Sequence, residues 1–405
     1  MKTRIAITAL AALTLAAGAS AQSLTILGQG NDPFAISDTG MVVGANGAGH
    51  WYWTADSGIV PIGGAAPFDF GGQTGVSSDG SVISGSFVNP STGLGELGIY
   101  DVANGIWTAL GSLGASSGNS AASAWGMSGD GDHIVGLGWI NAGSAHAIQW
   151  SNGEGVSDLG STVAGRSSRA NAVNHDGSVV VGWQDGESGF RQGAVWVNGV
   201  QTLIFDNDGG EMGEASSVSA DGQWVTGSTN GQAAWRYNTV SGGFEYIDPV
   251  LGNLFNPRAA GVAISDDGST IVGFVSPFGP PFNRIGYIWQ EGVGTTLLND
   301  YFAAEGVNAD AGYSFISPFT MSGDARTFAG WGFGNNGIEA FIVTLPGTPD
   351  CPADVDGSGS VDLADLNLVL GNFGQSTSDG DTNGDGEVDL ADLNAVLGAF
   401  GTSCE

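Results

Sequence analysis

One short turn motif recurs along most of the chain and limits what it can fold into: Ser-x-Asp-Gly, with a further glycine five residues after the first. It stands as Ser77-Ser78-Asp79-Gly80 to Gly85, Ser128-Gly129-Asp130-Gly131 to Gly136, and Asn174-His175-Asp176-Gly177 to Gly182. It continues as Ser219-Ala220-Asp221-Gly222 to Gly227 and Ser265-Asp266-Asp267-Gly268 to Gly273. Looser copies flank these, Ser37-Asp38-Thr39-Gly40 to Gly44 and Ser322-Gly323-Asp324-Ala325 to Gly330. The closing glycines lie 41 to 57 residues apart, so one supersecondary unit fills each period.

Every unit reads as four short strands. An apolar strand runs into the Asp-Gly turn, which suits a tight hairpin, and a second leaves it, as in Val179-Val180-Val181-Gly182. A third ends on an aromatic residue: Trp53, Tyr100, Trp150, Trp196, Trp235, Trp289 or Phe341. A short turn then gives the fourth, as in Trp107-Thr108-Ala109-Leu110-Gly111. Four strands in a period of about 40–45 residues fit a propeller blade, whereas a β-helix has shorter coils and ranks second. The seventh unit stops after its third strand near Leu345, while Ser23–Gly28 is a surplus strand at the other end. Placing that strand in the last blade closes the ring and removes an exposed sheet edge. The expected fold class is therefore an all-β, seven-bladed β-propeller over residues 22–346, closed by the N-terminal strand. A linker (347–350) and a small all-α domain (351–405) follow.

The repeat consensus, Ala-x-x-Val-Ser-x-Asp-Gly-x-x-Val-Val-Gly with a later Ala-x-x-Trp, resembles the HAF repeats of secreted bacterial proteins. The resemblance implies an extracellular, propeller-like domain and no particular activity. No convincing helical period interrupts residues 23 to 349. The repeated aspartates sit where Asp side chains cap a turn, and the repeated aromatics read as core.

The tail carries different chemistry. Two loops 27 residues apart match a calcium-binding pattern, in which oxygens at positions 1, 3, 5, 7, 9 and 12 surround a hard cation and Gly at position 6 makes the turn. The first offers Asp354, Asp356, Ser358, Ser360, Asp362 and Asp365; the second offers Asp381, Asn383, Asp385, Glu387, Asp389 and Asp392. Two Ca2+ ions are the expected cofactors. Each loop runs into a helical stripe, but Pro349, Pro352 and the stretch from Ser376 to Gly380 leave no entering helix. A duplicated loop-plus-helix unit of this kind resembles a type I dockerin. That resemblance implies a calcium-dependent fold, a cohesin-like protein partner, and partner contacts at Leu363, Ala364, Leu390 and Ala391. Cys351 and Cys404, the only cysteines, bracket the module and are expected to clasp it as a disulfide.

Residues 1–21 read as a secretory signal: a basic start at Lys2 and Arg4, an apolar run from Ile5 to Ala17, and Ala19-Ser20-Ala21 before the cleavage point. No run elsewhere approaches a transmembrane length. Without the signal the chain carries 41 acids against seven arginines and no lysine, a net charge of 41 minus 7 on the acidic side. Such a surface disfavours nucleic acid and anionic membranes.

Catalytic residues are not legible. The four histidines, His50, His133, His146 and His175, share no metal spacing, and no Gly-x-Ser-x-Gly elbow occurs. The variable loops, which open on one face of the ring, hold Arg166, Arg169, Arg191, Arg258 and Arg284, with Trp139, Trp183, Phe274 and Trp331 at or near their starts. Guanidinium forks and aromatic rings suit an acidic or carbohydrate ligand. The sequence therefore points to a secreted, non-catalytic binding or surface-display protein that recognises a glycan or protein through its ring and attaches through its tail. The alternative is a dockerin-bearing polysaccharide-degrading enzyme, a glycoside hydrolase or lyase with its site on the same face.

Overall fold

The computed structural model describes residues 22–64, 71–229, 233–248, 258–276, 284–345, 351–355, 360–375, 377, 380–383 and 387–402. The chain divides into two compact units, Gln22–Thr344 and a second that includes everything from Leu345 onward.

The first unit is a ring of seven four-stranded antiparallel sheets. Blade 1 comprises Asp32–Ile36, Val42–Asn46, Gly49–Thr54 and Gly58–Gly63, hydrogen-bonded in chain order from the ring axis outward. Blades 2 to 6 repeat this order, beginning at Gly75, Ala122, Ser168, Ala215 and Arg258. Blade 7 has only three strands of its own, Ser314–Met321, Thr327–Gly334 and Gly337–Thr344; Ser23–Gly28 supplies the fourth, pairing antiparallel with Gly337–Thr344. Closure by the N-terminal strand is thus as the repeat count requires.

The recurrent turn is built from its own side chains. Ser77 Oγ donates to Asp79 Oδ1 at 2.7 Å, and the same oxygen accepts the Ser81 N–H at 2.8 Å. The Val82 N–H in turn reaches Ser77 Oγ at 3.2 Å. Blades 3, 5, 6 and 7 repeat the arrangement through Ser128, Ser219, Ser265 and Ser322, and in blade 4 Asn174 takes the serine's place. The glycine that follows sits at a left-handed φ of 74° to 78° in blades 1 to 6, whereas blade 7 forces Ala325 to 55°.

These turns also join the blades. The backbone N–H of Asp38 donates to Ser78 O (2.9 Å) and that of Ser78 to Gly129 O (2.8 Å). The series runs on from Asp130 to His175 O, His175 to Ala220 O, Ala220 to Asp266 O, and Asp266 to Gly323 O. Each link is worth only about 0.5–1.5 kcal/mol net, but together they run from blade 1 to blade 7. Across the closing seam the Trp331 indole N–H donates to Asp32 Oδ1 at 2.9 Å.

The closing glycines have a separate cause. In blades 1 and 3 to 7 the innermost strand carries a bulge, with Phe34, Trp125, Asn171, Ser216, Val262 and Phe319 as the extra residues. The closing glycine lies opposite the residue just before the bulge, as in Ala124↔Gly136 and Ala170↔Gly182. A Cβ there would stand 2.0 Å from Ser123 O at Gly136 and 2.0 Å from Arg169 O at Gly182. Only glycine fits.

Two features depart from the sequence expectation. The third-strand aromatics occupy two registers: Trp235 and Phe341 face the closing glycines Gly227 and Gly330, whereas Trp196 and Trp289 lie two positions further along. Blade 1 accordingly buries Trp51 opposite Gly44, a residue the one-aromatic pattern passed over in favour of Trp53. A short helix, α1 (Leu298–Ala304), also occupies the longest interval between repeats. Phe302 anchors it, packing edge-on against Phe315 (4.7 Å) and Phe328 (5.1 Å), so burial of one aromatic outweighs the absence of a helical period.

In the tail, α2 (Leu363–Asn372) and α3 (Leu390–Ala399) follow the two loops. Each begins with a capping box, Asp362 with Asp365 and Asp389 with Asp392. Val361 and Val388 are fully buried with Val369 and Val396. The Val361 backbone pairs with Gly401 and Thr402 beyond α3, and the Val388 backbone with Gly374 and Gln375 beyond α2, so each loop is tied to the end of the other helix. No helix among the described residues is long and apolar enough to cross a membrane.

Two outcomes follow for stability, both read by urea denaturation. Ala325→Gly relieves a left-handed alanine and stabilises the ring by about 1 kcal/mol, while Gly136→Ala costs about 1–3 kcal/mol through the Ser123 carbonyl. The second concerns pH. The Ser81 N–H holds Asp79 below the usual carboxylate range, Ser178 does the same for Asp176, and at Asp267 bonds from Ser265 and Ser269 outweigh the effect of burial. Folded values below the unfolded one, about 3.9, mean that this stabilisation is complete at higher pH and is lost as pH falls through the folded values. The urea midpoint therefore drops below about pH 4, and drops less in Asp79→Asn.

Candidate binding site at the ring axis

The bulges decide what faces the axis. Residues from the innermost strands of all seven blades, or just before them, enclose a cavity of about 300 Å³. The bulge residues Phe34, Trp125, Asn171, Ser216, Val262 and Phe319 all line it, so six of the seven repeats present their bulge position to the axis, alongside neighbours such as Gln73, Arg169 and Glu214.

Where blades 3, 4 and 5 meet the cavity, Arg169 is held on four sides. Its guanidinium lies 3.6 Å from the Trp125 ring centroid, its Nε donates to Asn171 Oδ1 at 2.8 Å, and its Nη2 reaches Glu214 at 3.3 Å. Trp183 flanks it at 5.3 Å. Asn171 is fixed in turn by donating to Ala215 O at 2.7 Å. The Glu214 carboxylate also takes the Arg191 Nη1, and the Arg191 guanidinium stacks 4.1 Å from Trp183. Two guanidinia thus share one carboxylate, leaving the cluster one positive charge in surplus. Burial, resisted by Glu214 and reinforced by Arg191, brings Arg169 down to about 10, so it stays charged at neutral pH.

Of the arginines and aromatics singled out from the sequence, Arg169, Arg191 and Trp183 come together here. Arg284 stands apart with Phe274, its guanidinium 4.0 Å from that ring and bonded to Ser317 Oγ at 3.2 Å. Trp331 packs edge-on against Phe319 at 4.8 Å and bonds Asp32, whose carboxyl is pushed up by burial. Arg166 and Arg258 are exposed, and Trp139 is half-buried on the second strand of blade 3. The sequence reading missed Trp125, Asn171 and Glu214. The first two occupy the first x of Ala-x-x-Val-Ser, a variable slot inside a conserved-looking pattern, and that variation was the available signal.

Arg236, also outside the expected set, is structural. It is almost fully buried between Trp224 (4.0 Å) and Trp289 (4.6 Å) and pairs with Glu245 and Glu291, locking blade 5 to blade 6. His146 pairs with Asp158 at 2.9 Å, and His50 is buried against Thr74 and Ser86.

In the tail, Asp356, Ser358, Asp385 and Cys404 lie outside the described residues. Asp365 and Asp392 are fully buried, and Asp392 Oδ1 accepts N–H groups from Thr382 (2.8 Å) and Asn383 (3.3 Å), drawing the second loop around it. The other described loop residues expected as ligands, Asp354, Ser360, Asp362, Asp381, Glu387 and Asp389, carry only oxygen donors, the type a hard divalent cation takes. Cys351 is half-buried beside the valine core. Leu363, Ala364, Leu390 and Ala391 are all exposed, the two leucines at 60 % each.

No protein-family profile and no curated protein matches this chain. Solved structures resemble it in fold. The β-propeller domain of Cps50 (Swd1) from Myceliophteria thermophila is 9 % identical, with a TM-score of 0.51 over 80 % of this chain and 98 % of that one. An oligogalacturonate lyase from Vibrio parahaemolyticus is 12 % identical, with a TM-score of 0.50 over 81 % and 96 %. The match to TolB from Acinetobacter baumannii spans about half of either chain, 54 % and 52 %, at 15 % identity and a TM-score of 0.38. At these identities the likeness to the Cps50 domain and the lyase supports a β-propeller fold and nothing about activity; the seven blades are those of this structure.

Proposed function

We propose that the chain is a secreted, non-catalytic binding protein whose ring recognises an acidic extracellular glycan. The observation that carries this reading is the Arg169, Arg191 and Trp183 cluster, a surplus cation beside aromatic faces in a chain that is otherwise strongly acidic. Guanidinium forks bind carboxylates bidentately, and indole faces stack on sugar rings. Arg284 with Phe274 offers a second, smaller pairing of the same kind.

The tail is the attachment module in this reading. Two Ca2+ ions fill its loops, the Cys351–Cys404 disulfide clasps its ends, and the repeated exposed pairs Leu363/Ala364 and Leu390/Ala391 meet a cohesin-like or other extracellular protein. The oxygen-only donor set and the duplicated capping boxes support it.

On a glycan array, acidic glycans bind and the double variant Arg191→Ala/Arg284→Ala weakens them tenfold or more, the loss of one or two charged hydrogen bonds at about 1.5–3 kcal/mol each. Unchanged binding defeats the reading, and release of reducing or unsaturated sugar from a polysaccharide panel replaces it with the enzymatic one. For the tail, chelation abolishes the helical circular-dichroism signal of α2 and α3, and calcium restores it at two ions per chain; a tail that keeps its helicity in chelator holds no structural calcium.

A further inference from the structure

The axial cavity narrows what kind of acidic ligand the ring can take. Residues of all seven blades line it, so a group bound there is surrounded by the ring, and a chain end reaches in with less bending than the middle of a polymer would need. Its volume of about 300 Å³ sits at the lower limit of ligand pockets, roughly 300–1,000 Å³, which suits one ring-sized group. Phe34 and Phe319 supply apolar faces from blades 1 and 7, on the walls away from the Arg169 cluster.

Arg169 gives the cavity its chemical preference. Its Nε is committed to Asn171 and its Nη2 to Glu214, while its Nη1 has no acceptor among the described residues and the side chain lines the cavity. Stacking on Trp125 and the Asn171 bond hold the guanidinium in one plane before any ligand arrives. Glu214 neutralises one charge of two and already lines the cavity, where it competes with any incoming anion.

We infer that the ring axis is an end-reading site for a carboxylate borne on a single ring, bound through the Nη1 edge of Arg169 and held back by Glu214. This rests on the binding function proposed above and adds where, and by which end, the ligand is read. The carboxylate belongs either to the terminal uronic acid of a glycan or to a free cyclic organic acid. Both present the same planar anion to the guanidinium.

Isothermal titration calorimetry on the full chain, with melting temperature confirming that each variant is folded, tests this with glucuronate, glucose, benzoate and two trisaccharides. One trisaccharide carries glucuronate at its non-reducing end and the other carries it in the middle. Glucuronate binds at least tenfold tighter than glucose, and the terminal-uronate trisaccharide binds at least tenfold tighter than the internal one. Arg169→Lys, which keeps the charge but loses the Nη1 donor and the planar group held by Trp125 and Asn171, weakens glucuronate at least fivefold. Glu214→Gln, which removes the competing charge, tightens glucuronate at least threefold and leaves glucose unchanged; it decides the matter if the arginine variant does not fold. Benzoate binding as tightly as glucuronate assigns the carboxylate to a free organic acid, and weaker benzoate binding assigns it to a sugar. Equal binding of glucose and glucuronate, equal binding of the two trisaccharides, or glucuronate binding that Glu214→Gln does not tighten overturns the inference. If acidic glycans still bind the array through Arg191 and Arg284 in that event, the axial site fails and the broader reading stands.

Discussion

The backbone hydrogen bond that passes from one Ser-x-Asp-Gly turn to the next is the contact on which the ring depends. A blade alone is a twisted four-stranded sheet with little core of its own, and its stability comes from packing on both neighbours. The turn-to-turn bonds set the pitch of that packing, because the x residue of one blade, or in blade 3 the Asp130 beside it, must meet the x residue of the next. The side chains of Ser and Asp make this possible by satisfying the turn's own N–H groups locally, which leaves the x residue free to reach outward. Arg236 between Trp224 and Trp289 reinforces one of these interfaces with buried charge.

On the same strands the closing glycine does the opposite job. Where the turn fixes the blade's edge, the glycine allows the innermost strand to bulge toward its partner, with a carbonyl where a Cβ would otherwise be. In six of the seven blades the bulge frees a residue from the ladder and places it on the axis. Scaffold and cavity are therefore separated within a single repeat: residues that recur hold the ring, and the slot that varies faces the axial cavity. Arg169 belongs to neither class, being at the start of its strand, yet it is held by two bulge residues, Trp125 and Asn171.

The tail repeats this economy on a smaller scale. Its two copies are not independent, since each loop valine pairs with the backbone beyond the other copy's helix. One copy alone would leave Val361 or Val388 without that pairing and without the shared valine core. The duplication seen in the sequence is thus a condition for the unit to fold.

Blade number, strand order and closure by Ser23–Gly28 were legible in the linear sequence, because a repeat with glycine and Asp-Gly at fixed offsets has few ways to satisfy its backbone and bury its apolar strands. The turn chemistry was legible for the same reason: hydrogen bonds between residues two to five apart depend only on local order. α1 was not, since a seven-residue helix anchored by Phe302 owes its existence to aromatic partners 13 and 26 residues away, at Phe315 and Phe328. Nor was the convergence of Trp125, Arg169, Arg191 and Glu214, which come from three blades and span 89 residues from 125 to 214. Sequence alone determined the ring, because its constraints are periodic and local. Tertiary structure alone decided which arginines share a carboxylate and which edge stays open, because those distances are set by the curvature of the closed ring and not by spacing along the chain.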